Sequence, residues 1–340
     1  MNLEKIYYDV KKYIDTVDFS KLWPGFEPLK FALYTDKSCF FDGQYIEKTD
    51  DFLANTSIFY NGEWIAIWNV QEDIDPILLT SKIVHEMYHG YQNIHNEKRF
   101  FDDIHALYNY KYDGENIGLK LKENQLICEL STQFDTEKFN ELLQIRKYRS
   151  ASFGYAYHYE ACVEQIEGTA NFVELRCLEQ LSPELFKMLL AKMKKRITEP
   201  ENMIPVRVIC YDIGALLLYV MTENSITFDT EFSSLPFSEA ILNGIEEIKP
   251  TLLFNGNELI ERYYSEVSKT VKGAIEKNEV VTDTPCDLLA VNTYNAAFHE
   301  NYIVSKYFVM FGSREEPKIE YGDFVIETHA YKMVTKIYKI

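Results

Sequence analysis

The sequence lacks any apolar run long enough to span a bilayer. The longest candidate, Ile213 to Met221, falls far short. Positive charge is scarce: 35 Lys and Arg face 53 Asp and Glu, for a formal charge of -18. A surface of that sign repels phosphate backbones and anionic lipid headgroups, so neither nucleic-acid binding nor membrane association is expected. The acid excess serves solubility instead. No two of the six cysteines form a C-x-x-C pair. Several sit in apolar stretches, such as Cys210 after Val208-Ile209, and read as small buried hydrophobes in a reducing compartment. The first residues, MNLEKIYYDVKKYID, form an amphipathic, acid-containing pattern without the apolar core of an export signal. The cytoplasm is therefore the expected location. Internal repeats, low-complexity segments and flexible linkers are also missing.

The 340 residues are 46% hydrophobic and 26% charged, enough to bury a sizeable core without disulfides. Aromatics reach 15%, which suggests Tyr-lined surfaces or clefts without naming a ligand. Residues 3–17 have a helical pattern and 29–35 a strand pattern. Asn61-Gly62 joins TSIFY to EWIAIWNV, a strong hairpin signal. Asp75 then caps a helix that opens on Pro76. Residues 96–150 read as polar helices with breaks near Gly114 and Asp135. A long apolar helix over 157–181 ends at Ser182-Pro183. Further helices fit 184–196, 205–222, 236–245 and 257–276. Beyond about 284 the pattern alternates at period two, as in YIVSKYFVMFG and KIEYGDFVIET.

Residues 85–89 read His-Glu-Met-Tyr-His, late in the helix that Asp75 caps. Histidines four apart on a helix share a face, one turn apart, and can share a metal ion. Zinc accepts imidazole nitrogen and, in catalytic sites, keeps one position open to water. Glu86 is placed to take a proton from that water. By chance alone, H-E-x-x-H occurs in roughly one such chain per hundred, but rarely late in a capped helix behind a β-hairpin.

A third protein donor is needed. His95 stands ten residues after His85, the spacing of H-E-x-x-H-x-x-G-x-x-H, but Gln92 replaces the helix-breaking Gly. On a continuous helix His95 lies about 15 Å along the axis and about 80° off the face, out of reach. The other candidates lie on 158–175, HYEACVEQIEGTANFVEL, where Glu160, Glu164, Glu167, Asn171 and Glu174 form one polar stripe. Such a stripe is usually a solvated helix face. Here Gly168-Thr169-Ala170 lets a neighbouring helix come close, and a helical Gly costs about 1 kcal/mol against Ala. Glu164, one turn from Glu167, remains an alternative donor.

HEMYH followed by Glu167-Gly-Thr-Ala-Asn171 resembles the gluzincins, the thermolysin-like zinc peptidases with H-E-x-x-H on one helix and E-x-x-x-D on another. The match covers only about 75–95 and 157–175. The resemblance implies zinc ligands His85, His89 and Glu167, with Glu86 as catalytic base. Asn171 would replace the Asp that orients a ligand histidine, accepting the bond without charge. The family also uses a Tyr or His to stabilise the oxyanion; Tyr211, with Gly214 nearby for close helix approach, is one candidate and His158 another. A core helix with Tyr at its rim is the plainer account of Tyr211.

The expected fold is α+β and zincin-like over residues 1–283. A small mixed sheet in 1–75 lies over the H-E-x-x-H helix, a mainly helical part fills 76–283, and a β-rich unit closes the chain at 284–340. The expected activity is zinc-dependent hydrolysis of a peptide or small amide, with the 56–70 hairpin offering an edge for an extended substrate. Two alternatives stay open: a zinc hydrolase of a non-peptide substrate, and a catalytically silent zincin fold used for binding or regulation. Retention of Glu86 weighs against the second. All six thiols are expected free. Thiol titration under denaturing, non-reducing conditions should recover six, and a shortfall of two would reveal a disulfide and refute the reducing compartment.

Overall fold

The computed structural model describes residues 2–232, 235–252 and 254–340 and is α+β. Helix α1 (Leu3–Ile14) precedes strands β1 (Lys30–Tyr34), β2 (Cys39–Phe41), β3 (Gln44–Ile46), β4 (Thr56–Tyr60) and β5 (Glu63–Asn69). Their sheet has the order β3-β2-β1-β5-β4, and β1 runs parallel to β5 while the other pairs are antiparallel. Asn61 and Gly62 turn the β4–β5 hairpin at φ 51° and 88°, the left-handed backbone a two-residue hairpin requires. The short β2–β3 hairpin went unpredicted, because Cys39-Phe40-Phe41 is too brief to show a period.

Helix α2 (Pro76–Ile94) begins where Asp75 accepts from the Ile77 and Leu78 amides. It lies against the sheet, and a side chain at Gly90 would collide with Leu29. Helices α3 (Asp103–Asn109), α4 (Gly114–Leu130) and α5 (Thr136–Ser152) follow, the last two capped by Asp113 and Asp135. The expected single helix over 157–181 is divided. Helix α6 (Gly154–Val163) runs into a π-helical turn at Glu164–Gly168 and resumes as α7 (Thr169–Leu181). Ser182 then caps α8 (Pro183–Thr198), followed by α9 (Val206–Glu223), the single turn α10 (Phe237–Ala240) and α11 (Asn257–Lys277). The α10 turn is shorter than the expected 236–245. Among the described residues, no helix is long and apolar enough to cross a membrane.

The remaining strands are β6 (Val280–Thr282), β7 (Cys286–Val291), β8 (Ala297–His299), β9 (Tyr302–Ser305), β10 (Phe308–Gly312), β11 (Pro317–Tyr321), β12 (Phe324–Ala330) and β13 (Met333–Lys339). They make an antiparallel sheet of order β11-β10-β7-β13-β12-β9-β8, with β6 also on β13. The sheet thus opens at Val280, slightly before the expected boundary. One face packs on α11 through Val267, Val271 and Ala274. The other packs against Leu107 and Tyr108 of α3, which ties the sheet to the helical part.

Between α4, α5 and α6 lies a charge cluster shut off from water. Lys120, Arg146 and Arg149 face Glu123, Glu160 and Glu164, each with a side chain at most 2% exposed. Arg146 grips Glu164 with two bonds of 2.9 Å, and Arg149 bridges Glu123 and Glu160 at 2.7 Å each. Tyr110 donates to Glu160 at 2.6 Å, and Arg149 Nε donates to Asn116. Three cations balance three anions, so each charge is compensated. Removing one strands its partner in an apolar interior. Arg146→Met should therefore lower unfolding stability by about 3–5 kcal/mol, read from urea denaturation. An unchanged midpoint would mean that the cluster does not hold these helices together.

Candidate metal centre

Helix α2 and the segment from the π turn into α7 run antiparallel, so successive turns of one meet successive turns of the other. Lys82 and His85 approach Glu174, His89 approaches Glu167, and Gln92 reaches Ile166 and Thr169. His85, His89 and Glu167 converge, with donor atoms all within 4.8 Å of one another. The two Nε2 atoms are 3.1 Å apart, and His89 Nε2 lies 3.4 Å from Glu167 Oε2. Donors about 2.0–2.1 Å from a tetrahedral ion stand about 3.3 Å apart. These two spacings match that figure and the third donor pair lies within 4.8 Å, so two imidazoles and one carboxylate could hold a divalent cation.

One outer ring nitrogen is held as a metal-binding imidazole requires: His89 Nδ1 is 2.8 Å from Gln92 Oε1. His85 Nδ1 makes no hydrogen bond and faces Glu174 Oε2 at the ion-pair distance of 3.5 Å. An acceptor at Nδ1 places the N–H there and leaves the Nε2 lone pair for an ion. Gln92 in turn donates to the Ile166 carbonyl at 2.9 Å and to Thr169 Oγ1 at 3.1 Å, tying the two ligand-bearing segments together. Glu167 keeps Oε2 toward His89 while Oε1 accepts from Arg207 at 3.2 Å. Arg207 also pairs with Asp103 at 3.1 Å.

Burial opposes the charge on Glu167, but His89, Arg207 and His85 overcome it and bring the carboxyl to about 2. Burial similarly opposes charge on Glu174, and the facing His85 ring with the Lys82 ammonium nearby brings it to about 2. Glu86 differs. Burial pushes its carboxyl up, only partly countered by His85 and His89. Beside the donors opens a cavity of about 300 Å³, lined by Glu86, Thr56, Ser57, Arg207 and Tyr294.

The sequence-expected residues separate clearly. His85, Glu86, His89 and Glu167 come together. Asn171 does not reach a ligand histidine; its amide faces Asp212 at 3.5 Å, because Glu174, one turn on, occupies the place beside His85. Glu164 is taken by Arg146 on the far side of the helix. His95 ends α2 with Nδ1 on the Tyr91 carbonyl and its ring stacked on Phe232. Gly168 does allow a close approach, but to α9: a Cβ there would sit 2.8 Å from the Gly214 Cα. Tyr211 is buried and does not line the cleft. Tyr294, from the loop between β7 and β8, lines it instead and packs edge-on against Tyr211 at 5.6 Å. His158 points to Glu239.

Four contributors are given no role by the sequence reading. Gln92 stands out in the sequence only as a missing Gly, although its spacing of three from His89 puts it on the same face. Glu174 has a readable signal too, two turns beyond Glu167. Arg207 and Tyr294 carry no local signal. No protein-family model, curated protein or solved structure matches the chain.

Metal analysis of variants tests this geometry. Glu167→Ala should lose the ion, whereas His95→Ala and Asn171→Ala should keep it. Glu174→Ala should weaken affinity by roughly 10–100-fold, the usual effect of removing a ligand's hydrogen-bond partner. Loss of metal in His95→Ala with retention in Glu167→Ala would overturn the assignment.

Proposed function

We propose that the chain is a zinc-dependent hydrolase of peptide bonds with a zincin-like, gluzincin-type arrangement. The observation that carries this reading is the convergence of His85, His89 and Glu167 beside a buried Glu86, on the wall of an open cleft. Imidazole and carboxylate donors at tetrahedral spacing suit zinc. Bound there, zinc would supply the Lewis acidity that activates water and polarises a carbonyl.

The remaining roles belong to the chain. Glu86 accepts the proton of the attacking water and passes it to the leaving amine. Its burial helps, because a carboxyl pushed up from the ordinary range is a stronger base. Arg207 and Asp103 hold Glu167 in place. Tyr294 is half exposed, but desolvation of its hydroxyl and nearby Glu167 keep that group neutral, so it remains a donor for the developing oxyanion, the role first expected of Tyr211.

The first sheet supports a peptide substrate. Strand β4 is its outermost strand, and Thr56 and Ser57 at its start line the cleft. An extended peptide adding to that edge runs along the cleft with its backbone satisfied. The bond cleaved would then cross the metal centre.

Glu86→Gln tests the mechanism. The amide keeps the shape but cannot take the proton. The variant should retain its zinc and lose hydrolysis of a proteome-derived peptide library by about 100-fold or more. Near-normal digestion would remove Glu86 from the chemistry.

A further inference from the structure

A second cluster of reactive groups lies against the metal cleft and plays no part in the proposed hydrolysis. Cys162 and His158 are one turn apart on α6. Glu239 reaches them from α10. His158 Nε2 stands 3.6 Å from Cys162 Sγ, and Nδ1 stands 2.9 Å from Glu239 Oε1. Each ring nitrogen serves one partner, so the imidazole separates the thiol from the carboxylate. That is a relay and not a chelate, since a metal would need the donors to meet at one point. A nucleophile, a base within reach and a third group orienting the base is the arrangement that activates a thiol.

The position of the sulfur matters as much as its partners. Cys162 is only 4% exposed, yet it lines both the metal cleft and an adjoining cavity of about 440 Å³. The two cavities share Phe100, Phe101 and Cys162. Lys98, Arg99 and the half-exposed His158 line the second beside Asp102, so positive side chains outnumber negative ones on its wall in an otherwise acidic molecule. The bonds to Cys162 and Glu239 lift His158 to about 10, so of the two partners the imidazole is the one that holds the proton taken from the sulfur. Burial pushes Cys39 and Cys210 up to about 12, and it raises Cys128, Cys177 and Cys286 as well.

We propose that Cys162 is a reactive thiol, served by His158 and Glu239, which exchanges with small anionic disulfides and in the mixed-disulfide form obstructs the metal cleft. The Cys162 proton passes to His158, and the thiolate attacks one sulfur of the disulfide. One S–S bond forms as the other breaks. The departing thiolate takes a proton from solvent, so Cys162 is oxidised while the small disulfide is reduced to one thiol and one bound half. The cationic wall favours a carboxylate-bearing disulfide. The attached half then fills the space between the two cavities. Only the obstruction of hydrolysis rests on the peptidase reading; the thiol chemistry does not.

The test uses zinc-loaded protein and glutathione disulfide. Intact mass should show one glutathionyl group, peptide mapping should place it on Cys162, and a thiol reductant should remove it. Cys162→Ser should take up none under the same conditions. His158→Gln should slow the reaction by about tenfold or more, and Glu239→Gln should slow it by less. Hydrolysis should fall in step with the adduct and return on reduction. First modification at another cysteine would overturn the proposal, as would a His158→Gln variant that reacts at the parental rate. Full modification with undiminished hydrolysis would overturn the obstruction. The mass readout stands even if the unmodified protein hydrolyses no peptide, so the two readings fail separately.

Discussion

The helix that carries Glu167 contains one turn wider than the rest, and the two halves of the molecule are arranged around it. On an uninterrupted α-helix Glu160, Glu164, Glu167, Asn171 and Glu174 would fall within about 80° of one another. The π-helical turn at Glu164–Gly168 adds roughly one residue, which rotates the α7 side of the helix by about 100° relative to the α6 side. Glu160 and Glu164 are thereby turned toward Arg149 and Arg146. Glu167 and Glu174 are turned toward His89 and His85. Within that turn the Ile166 carbonyl receives Gln92, which also fixes His89. A single irregularity thus sets the register between α2 and its partner helix.

The ionic cluster on one side and the His85–His89–Glu167 group on the other are consequently coupled through backbone, not through contact. Arg146 clamps Glu164 at the start of the wide turn, and Gly168 at its end lies against Gly214. Neither anchor has room to slip, since one is a bidentate pair in an apolar interior and the other a glycine–glycine crossing. Buried ion pairs contribute little net stability compared with apolar packing of the same volume. Their effect here is positional, because they fix where the turn begins and hence where Glu167 points.

Much of this is readable from sequence, and the failures have physical causes. The Asp75 cap, the Asn61-Gly62 turn and the four-residue spacing of His85 and His89 are local signals, and local signals survive folding. Glu167 can be reached because it lies on a helix with an unusual small-residue run. The run serves a different neighbour from the one expected, though: Gly168 meets α9, while the contact with α2 is made by Gln92. Asn171 fails because its placement assumes unbroken α-helical geometry on either side of Glu167. Periodicity shows that a face exists but not that it has been cut and rotated. The charge cluster is hidden for a related reason, since the acids of α6 and the bases of α4 and α5 each look like solvated helix faces when read alone. Tyr294 and Arg207 are brought to the cleft by tertiary packing, which leaves no mark on neighbouring residues.

The chain order of the cleft has a consequence in time. Its walls come from Thr56 and Ser57, from α2, from the π turn, from Arg207 and finally from the loop holding Tyr294. During synthesis His85, His89 and Glu167 leave the ribosome before that last loop is made. The sheet that carries it is antiparallel, with β7 paired to β10 and β13, so the loop gains its support only when nearly the whole chain has emerged. The three side chains can therefore be brought together while the cleft still lacks one wall, and the finished pocket arrives with the final strand.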